Sequence, residues 1–413
     1  MTNKKSNILP IVVMYLLFFM IAFVTNLCNP MAVIVKNNFA MSNFAAQLGN
    51  AANFIAYAAM GIPAGMLLKK IGYRKTALVA ILIGFIGVFL QYMSGWAAIQ
   101  SFWVYLAGAF TAGFCMCMLN TVVNPMLNTL GGGGNKGNQL VQFGGVCNSL
   151  AAVLVTIIMG SLIADATKAQ IADATPALMI ALGVFAFAFL VLLLVKIPEP
   201  AQENEGDKAK DKKYSAFSFR HFNLGILAIF LYMGVEVGVP TYVMQYLTTS
   251  PDATTPGLGI NASIVGMIVA VYWLLMLVGR LLGGMIGGKV SSRAQITGVS
   301  ILCLVLVLLG MFLPTDVMVK MPGIDWATLT IMTAQVPVGV FALILVGLCT
   351  SVMWGGIFNM AVEGLGKYTS IASGAFMTMV CGGGILIPSQ GKLADVFGNF
   401  QMSYIVALVC TAY

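Results

Sequence analysis

The sequence predicts an all-α protein that crosses a membrane many times. Apolar stretches follow one another along all 413 residues, and each is close to the roughly 20 residues that an α-helix needs to cross a bilayer. Only 8% of the residues are charged, 60% are hydrophobic and the mean hydropathy is +0.94. A soluble domain carries about 25% charged residues, so the solvent of this chain is lipid.

The apolar stretches predict twelve helical spans in chain order. The twelfth stops at Tyr413 and is too short to cross a bilayer, so we expect a truncated final helix. The predicted spans are 9–35, 44–68, 75–94, 101–129, 138–163, 174–196, 221–248, 261–287, 295–313, 334–360, 370–390 and 400 onward.

One segment interrupts the apolar pattern. Residues 198–219 are rich in Glu, Asp and Lys, which predicts a soluble linker between a six-helix bundle at 1–197 and a second six-helix bundle at 220–413. The halves repeat short spacings: Asn26 and Pro30 correspond to Glu236 and Pro240. Parallel repeats joined by a linker are typical of secondary transporters, which bind their substrate between the two halves.

The basic residues predict the orientation of the chain. If the N-terminus is cytoplasmic, the cytoplasmic loops carry sixteen of the 21 Lys and Arg, the outer loops carry four, and Arg280 lies within a span. Lys and Arg are retained on the cytoplasmic side during insertion, so we expect a cytoplasmic N-terminus. A nucleic-acid partner is not expected, because no clustered basic face with aromatic or polar readers is present.

Three groups of residues resemble one known family. Gly65, Lys69, Lys70, Gly72, Arg74 and Lys75, between the second and third spans, are similar to the glycine-rich basic signature of the major facilitator superfamily. Two further motifs resemble its fucose–proton symporter family of sugar permeases. These are Leu119, Asn120, Thr121, Asn124 and Pro125 in the fourth span, and Arg220 to Gly225 with Tyr232, Gly234 and Glu236 in the seventh.

The sequence departs from that family at positions that matter for coupling. Proton-coupled members of the family place an Asp where Asn29 stands and a Glu where Asn120 stands. An amide can hydrogen-bond a sugar hydroxyl but cannot carry a proton, so this chain lacks a proton carrier at both positions. Gly145 stands where the symporters carry a Gln, and Lys69 replaces the acidic residue of the general signature.

Polar side chains inside the spans are the candidate substrate ligands. They are nearly all neutral amides, which donate and accept hydrogen bonds and therefore suit an uncharged sugar. Aromatic residues such as Tyr57, Trp273 and Trp354 could stack on a sugar ring. Amides also hold helices together, so a structural role stays open for each residue. The predicted substrate residues are Asn26, Asn29, Asn120, Asn124, Gln142, Asn148, Trp273 and Asn359.

Glu236 is the one carboxylate near the middle of a predicted span, four residues before Pro240. The proline should kink the helix and free a carbonyl group. Glu236 is therefore the predicted coupling residue for H⁺ or Na⁺, with direct sugar binding or a structural pair with Arg280 as alternatives. Gly65, Lys69, Lys70, Gly72, Arg74, Lys75 and Arg280 are the predicted conformational residues on the cytoplasmic side.

The expected function is transport of a neutral monosaccharide, a hexose or deoxyhexose, across the inner membrane by alternating access, with cation-coupled uptake. The alternatives are an uncoupled uniporter and an exporter of drugs or metabolites. Enzyme activity is not expected, because no catalytic cluster is visible. We expect no cofactor and no metal site, a sugar and the lipid bilayer as partners, and a monomer.

Overall fold

The computed structural model describes residues 8–39, 48–162, 170–195, 197–199, 215–260, 262–325, 328 and 330–413. These residues form a helical protein with one two-stranded sheet. Ten of their segments are long and apolar enough to cross a membrane. The predicted all-α polytopic fold is confirmed.

The first half of the chain forms six long helices at the six predicted positions. Neighbouring helices approach closely where both present small residues: a Cβ atom on Gly87 would lie 2.5 Å from the backbone nitrogen of Ala112. The helices are α1 (Ile8–Asn38), α2 (Leu48–Ile71), α3 (Tyr73–Met93), α4 (Phe102–Leu130), α5 (Gly134–Leu162) and α6 (Thr175–Leu194).

The second half forms the remaining spans, several of them in two pieces. Residues 200–214 of the predicted linker lie outside the described part of the chain, so the boundaries at 197 and 220 stay predictions. The helices are α7 (Arg220–Glu236), α8 (Gly238–Thr248), α9 (Ala262–Gly287), α10 (Ser292–Phe312), α11 (Val338–Thr350), α12 (Met353–Val362), α13 (Thr369–Thr378), α14 (Gly382–Phe397), α15 (Phe400–Ser403) and α16 (Ile405–Ala412).

The seventh span is interrupted between α7 and α8, as Pro240 predicted. Proline has no N–H with which to bond the carbonyl four residues earlier, and that carbonyl belongs to Glu236. The hydroxyl of Tyr272 on α9 donates to Glu236 O instead, at 3.0 Å. The break therefore fixes the position of Glu236 relative to α9.

A β-hairpin precedes the tenth span. Strands β1 (Met318–Asp325) and β2 (Thr330–Pro337) pair antiparallel, and Gly323 packs against Met267 of α9. The predicted start of the tenth span at 334 is wrong, because the last residues of β2 are extended and helix α11 begins at Val338.

Among the described residues, two helix pairs make the most extensive contacts between the bundles. On α2 and α13, glycines bring the backbones together: a Cβ atom on Gly374 would lie 2.4 Å from Gly61 O, and one on Gly65 would lie 2.8 Å from Ser370 O. The second pair is α5 with α9, where Gly284 faces the ring of Phe143.

Candidate functional site

A cavity of about 230 Å³ lies between the two bundles. Helices α1, α2, α4 and α5 line it from the first bundle, and α7, α9 and α12 line it from the second. Five of the predicted substrate residues reach it, together with Glu236 and Arg280. The five are Asn26, Asn120, Gln142, Asn148 and Trp273.

Three predicted substrate residues are not placed at this cavity. The side chain of Asn29 lies outside the described part of the chain. Asn124 is fully buried beneath the cavity, where its Nδ2 donates to Asn120 O at 2.8 Å and its Oδ1 accepts from Trp354 Nε1 at 3.2 Å. Asn359 bonds Asn128 and Ser292, and it lines a separate cavity. Asn124 and Asn359 therefore hold helices together.

Two amides of the central cavity are oriented by hydrogen bonds within the protein. Asn120 Nδ2 donates to the hydroxyl of Tyr57 at 2.8 Å, which links α4 to α2. Asn26 Nδ2 donates to Ala22 O within α1, also at 2.8 Å. Because these bonds use the donor groups, the amides keep fixed directions without a ligand.

Gln142 is bonded on one side only. Its Nε2 donates to Gln295 Oε1 on α10 at 3.0 Å. Its Oε1 is buried and has no partner among the described residues. A buried acceptor without a donor is unfavourable, and a ligand hydroxyl at this point would satisfy it.

Glu236 and Arg280 form an ion pair in the wall of the cavity. Arg280 NH2 and Glu236 Oε1 are 3.4 Å apart, and the side chains are only 10% and 12% exposed. Arg280 NH1 also donates to Gly145 O at 3.1 Å, Asn148 Oδ1 at 3.4 Å and Ser149 Oγ at 2.7 Å. The pair is neutral as a unit, so the cavity presents no net charge to a ligand.

The sequence analysis grouped Arg280 with the conformational residues of the cytoplasmic side, and in the structure its side chain lines the cavity. Arg280 lies seven residues before the end of α9 at Gly287, about 10 Å along the helix. That distance brings its guanidinium level with the break after Glu236. Arg280 belongs to the cavity.

The bundles close on each other at the end of the molecule that carries Lys69, Lys75, Lys136 and Lys289, here called the basic end. Neutral polar contacts join them there. These contacts are Asn128 with Asn359, Gln142 with Gln295, Gln139 with Gly284 O, Trp354 with Asn124 and Ser373 with Thr121 O.

The glycine-rich basic motif lies at the same end. Gly72 has φ 84°, a conformation that favours glycine, and α3 begins at the next residue. The carboxylate of Glu199 accepts the backbone N–H groups of Tyr73 at 2.7 Å and Arg74 at 3.0 Å. Arg74 donates to Leu192 O and Leu193 O, which ties the turn to α6. These contacts join the motif to α6 and to Glu199 of the predicted linker, whereas Gly65 contacts the second bundle.

Sequence reasoning missed Gln295, Ser149 and Glu199. Gln295 and Ser149 are polar residues inside predicted spans, so the same rule that selected the other amides could have included them. Glu199 was assigned to the linker because it follows Pro198 in a charged segment. Among the described residues, no group of three or more His, Cys, Asp or Glu could hold a metal ion.

Two six-helix bundles with a cavity between them are the architecture of a secondary transporter. Residues 14–388 match the Major Facilitator Superfamily, and the chain belongs to that family. The predicted resemblance is confirmed, and the family consists of membrane transporters rather than enzymes.

The similarity to named relatives extends over almost the whole chain. It is 27% identical to a "Glucose/galactose transporter" of Brucella abortus (strain 2308), covering 100% of this chain and 94% of the relative. It is 24% identical to the "L-fucose-proton symporter" of Escherichia coli (strain K12), covering 99% and 92%. The crystal structure of the transporter FucP in the outward conformation superposes with a TM-score of 0.80 at 22% identity, covering 99% of this chain and 97% of FucP.

Proposed function

We propose that this protein imports a neutral monosaccharide, a hexose or deoxyhexose, across the inner membrane by alternating access. The observation that carries the proposal is the cavity at the bundle interface, which is lined by oriented amides from the first bundle and by Trp273 and Trp354 from the second. Amides match sugar hydroxyls, and the names of the relatives support the same substrate class. We expect the protein to act as a monomer without a cofactor.

The closed end supports uptake as the direction of transport. If the basic end faces the cytoplasm, as the retention of Lys and Arg implies, the bundles are closed on the cytoplasmic side. The cavity would then receive sugar from outside. Transport would require the contacts at the basic end to separate while the opposite end closes.

Coupling is the second part of the proposal, and it assigns Glu236 as the proton carrier. Na⁺ is disfavoured because the Arg280 guanidinium lies 3.4 Å from the carboxylate and Tyr272 occupies the freed carbonyl of Glu236. A proton needs no such coordination shell. The competing function is an uncoupled uniporter, which the neutral Glu236–Arg280 pair and the amides at 29 and 120 favour.

Transport in proteoliposomes distinguishes these functions. Counterflow of labelled glucose, galactose or fucose requires binding and alternation but no coupling, so the wild-type protein and Glu236→Gln should both exchange one of them. An inward proton gradient should drive accumulation by the wild-type protein but not by Glu236→Gln. Asp252→Asn removes an exposed carboxylate outside the cavity and should accumulate sugar normally.

Each outcome has a distinct meaning. Lack of counterflow with every monosaccharide in the panel would overturn the sugar proposal. Counterflow without accumulation in the wild-type protein would establish uniport. Accumulation that survives Glu236→Gln would remove the coupling role from Glu236 and leave the sugar proposal standing.

A further inference from the structure

Asn138 is a buried amide of α5 that does not line the central cavity. Its side chain is fully buried, and neither its Nδ2 nor its Oδ1 has a hydrogen-bond partner among the described residues. An unpaired donor and an unpaired acceptor on one buried side chain are unfavourable. This cost is removed in a conformation that gives the amide partners.

Asn138 lies between two cavities, on a polar stripe of α5. Asn135, Asn138 and Gln142 are spaced three and four residues apart, so they share one face of the helix. Gln142 lines the central cavity, whereas Asn135 lines a second cavity of about 420 Å³ at the basic end, here called the vestibule. The rise of an α-helix places Asn138 about 6 Å from Gln142 and about 4.5 Å from Asn135 along the axis.

Helix α12 separates the two cavities at this level. Gly355 lines the central cavity, and Asn359, about one turn further along, lines the vestibule. A Cβ atom on Gly355 would lie 3.4 Å from Asn138 Oδ1, so the amide lies against the second bundle. Asn359 stabilises this contact through its bonds to Asn128 and Ser292. Separation of α5 from α12 would therefore join the two cavities and expose Asn138.

The vestibule suits the same class of ligand as the central cavity. Asn135 lines it from the first bundle and Asn359 from the second, and both amides can donate and accept hydrogen bonds. With His221 neutral, the charges of Arg293 and Glu363 in the lining balance each other. An uncharged polyol that leaves the central cavity in this direction would meet suitable groups on both bundles.

We propose that Asn138 is a substrate-binding residue of the release step, a role that rests on the proposed transport of a sugar. When α5 and α12 separate, the sugar moves from Gln142 to Asn138 and then to Asn135. Each amide offers a donor and an acceptor to the sugar hydroxyls. In the closed conformation Asn138 is covered by α12. It therefore contributes to sugar affinity on the basic side and not on the opposite side.

Monodeoxy analogues of the transported sugar test this contact one hydroxyl at a time. The labelled sugar is whichever of glucose, galactose and fucose the wild-type protein exchanges in counterflow. Sealed membrane vesicles expose either the basic end or the opposite end, and each analogue is added outside as a competitor. The variants are Asn138→Leu, which has a similar shape but no amide, and Asn138→Ser, which keeps a hydroxyl group.

The expected result is a hydroxyl preference on the basic side that depends on Asn138. In the wild-type protein, at least one deoxy analogue should bind about fivefold more weakly than the parent sugar, because a hydrogen bond is lost. In Asn138→Leu this difference should disappear, and Asn138→Ser should restore part of it. On the opposite side, the wild-type protein and both variants should rank the analogues identically.

Gly61→Ala is the control for a change in conformation alone. A Cβ atom on Gly61 would lie 2.5 Å from the backbone nitrogen of Thr378 on α13, so this substitution weakens the closed basic end without changing a polar group between the cavities. All inhibition constants measured on one side should therefore change by one common factor.

A measurement without sugar tests the unpaired amide itself. Ser373 on α13 is fully buried and donates to Thr121 O of the first bundle. In a background without the native cysteines, Ser373→Cys should react with a water-soluble maleimide only when the basic end opens. Asn138→Leu removes the unpaired amide from the closed state and should slow this reaction about fivefold or more.

Two results would overturn the proposal. If Asn138→Leu changes the basic-side inhibition constants of all analogues by one common factor, Asn138 acts on conformation alone. If the labelling rate of Ser373→Cys is unchanged, the amide is not unpaired in the closed state. Neither result bears on counterflow of the parent sugar by the wild-type protein. Absence of that counterflow would overturn the proposed function, and this proposal with it.

Discussion

Gln142 belongs to the cavity and to the closed basic end at the same time. Its amide nitrogen bonds Gln295 across the bundle interface, whereas its oxygen is buried without a donor. Leaving a buried acceptor unpaired costs about 1–3 kcal/mol, which a ligand hydroxyl would recover. The side chain of Gln142 is therefore in contact with both the cavity, where a ligand would bind, and the closed basic end.

Gln142→Ala should weaken sugar binding about tenfold, because a hydrogen bond of about 1.4 kcal/mol is lost. Gln295→Ala is the matched control: it removes the other end of the same inter-bundle bond, but Gln295 does not line the cavity. It should reduce the affinity much less. Calorimetric titration of the purified variants measures both dissociation constants. Equal losses would show that Gln142 acts only through the inter-bundle bond.

The types of side chain that line the cavity could be predicted from the sequence. Which of these side chains the opposite bundle covers could not. Asn120 and Asn124 are four residues apart on α4 and share one face of the helix. Asn120 lines the cavity, whereas Asn124 lies beneath Trp354 of the second bundle. The point at which the opposite bundle closes over that face depends on tertiary packing, which the spacing along one helix does not contain.

Among the helices and strands, the prediction that was confirmed rests on a local property of the backbone. Pro240 removes a particular hydrogen bond, so the break between α7 and α8 could be predicted from sequence. The hairpin before α11 could not, because the end of β2 at Pro337 continues directly into the apolar run of α11, and periodicity alone does not separate a short strand from a helix there. The same limit explains the wrong start of the tenth span.

The glycine contact between α2 and α13 is a steric requirement of the closed basic end. A Cβ atom on Gly61 would lie 2.5 Å from the backbone nitrogen of Thr378 and 2.6 Å from Gly374 O, so Gly61→Ala should cost the closed state about 1–3 kcal/mol. The basic end should open more often. Ser373→Cys, a buried position bonded across the interface, should then react faster with a water-soluble maleimide.

Gly183→Ala provides the control for that measurement. Gly183 lies on α6, and a Cβ atom there would meet no atom within 4 Å. The labelling rate of Ser373→Cys should be unchanged in this background. If Gly61→Ala also leaves the rate unchanged, the approach of α2 to α13 does not hold the basic end closed.

For the whole molecule, closure at the basic end follows from where the two bundles touch. The contacts between the bundles at the basic end are made mostly by neutral amides and glycines. Each such contact contributes little free energy to helix association. Arg280 adds a charged donor to the bundle interface, because its guanidinium donates from α9 to Gly145 O and Ser149 Oγ on α5.

The orientation of the molecule in the membrane determines which side the closed basic end faces. Lys289 lies in the turn between α9 and α10 at the basic end, and Asp252 lies in the loop that follows α8 at the other end; both are exposed. Because Lys and Arg are retained in the cytoplasm, Asp252→Cys should react with a membrane-impermeant maleimide in intact cells. Lys289→Cys should react only after the cells are permeabilised. The reverse pattern would place the closed end outside, and the cavity in this conformation would then receive its substrate from the cytoplasm.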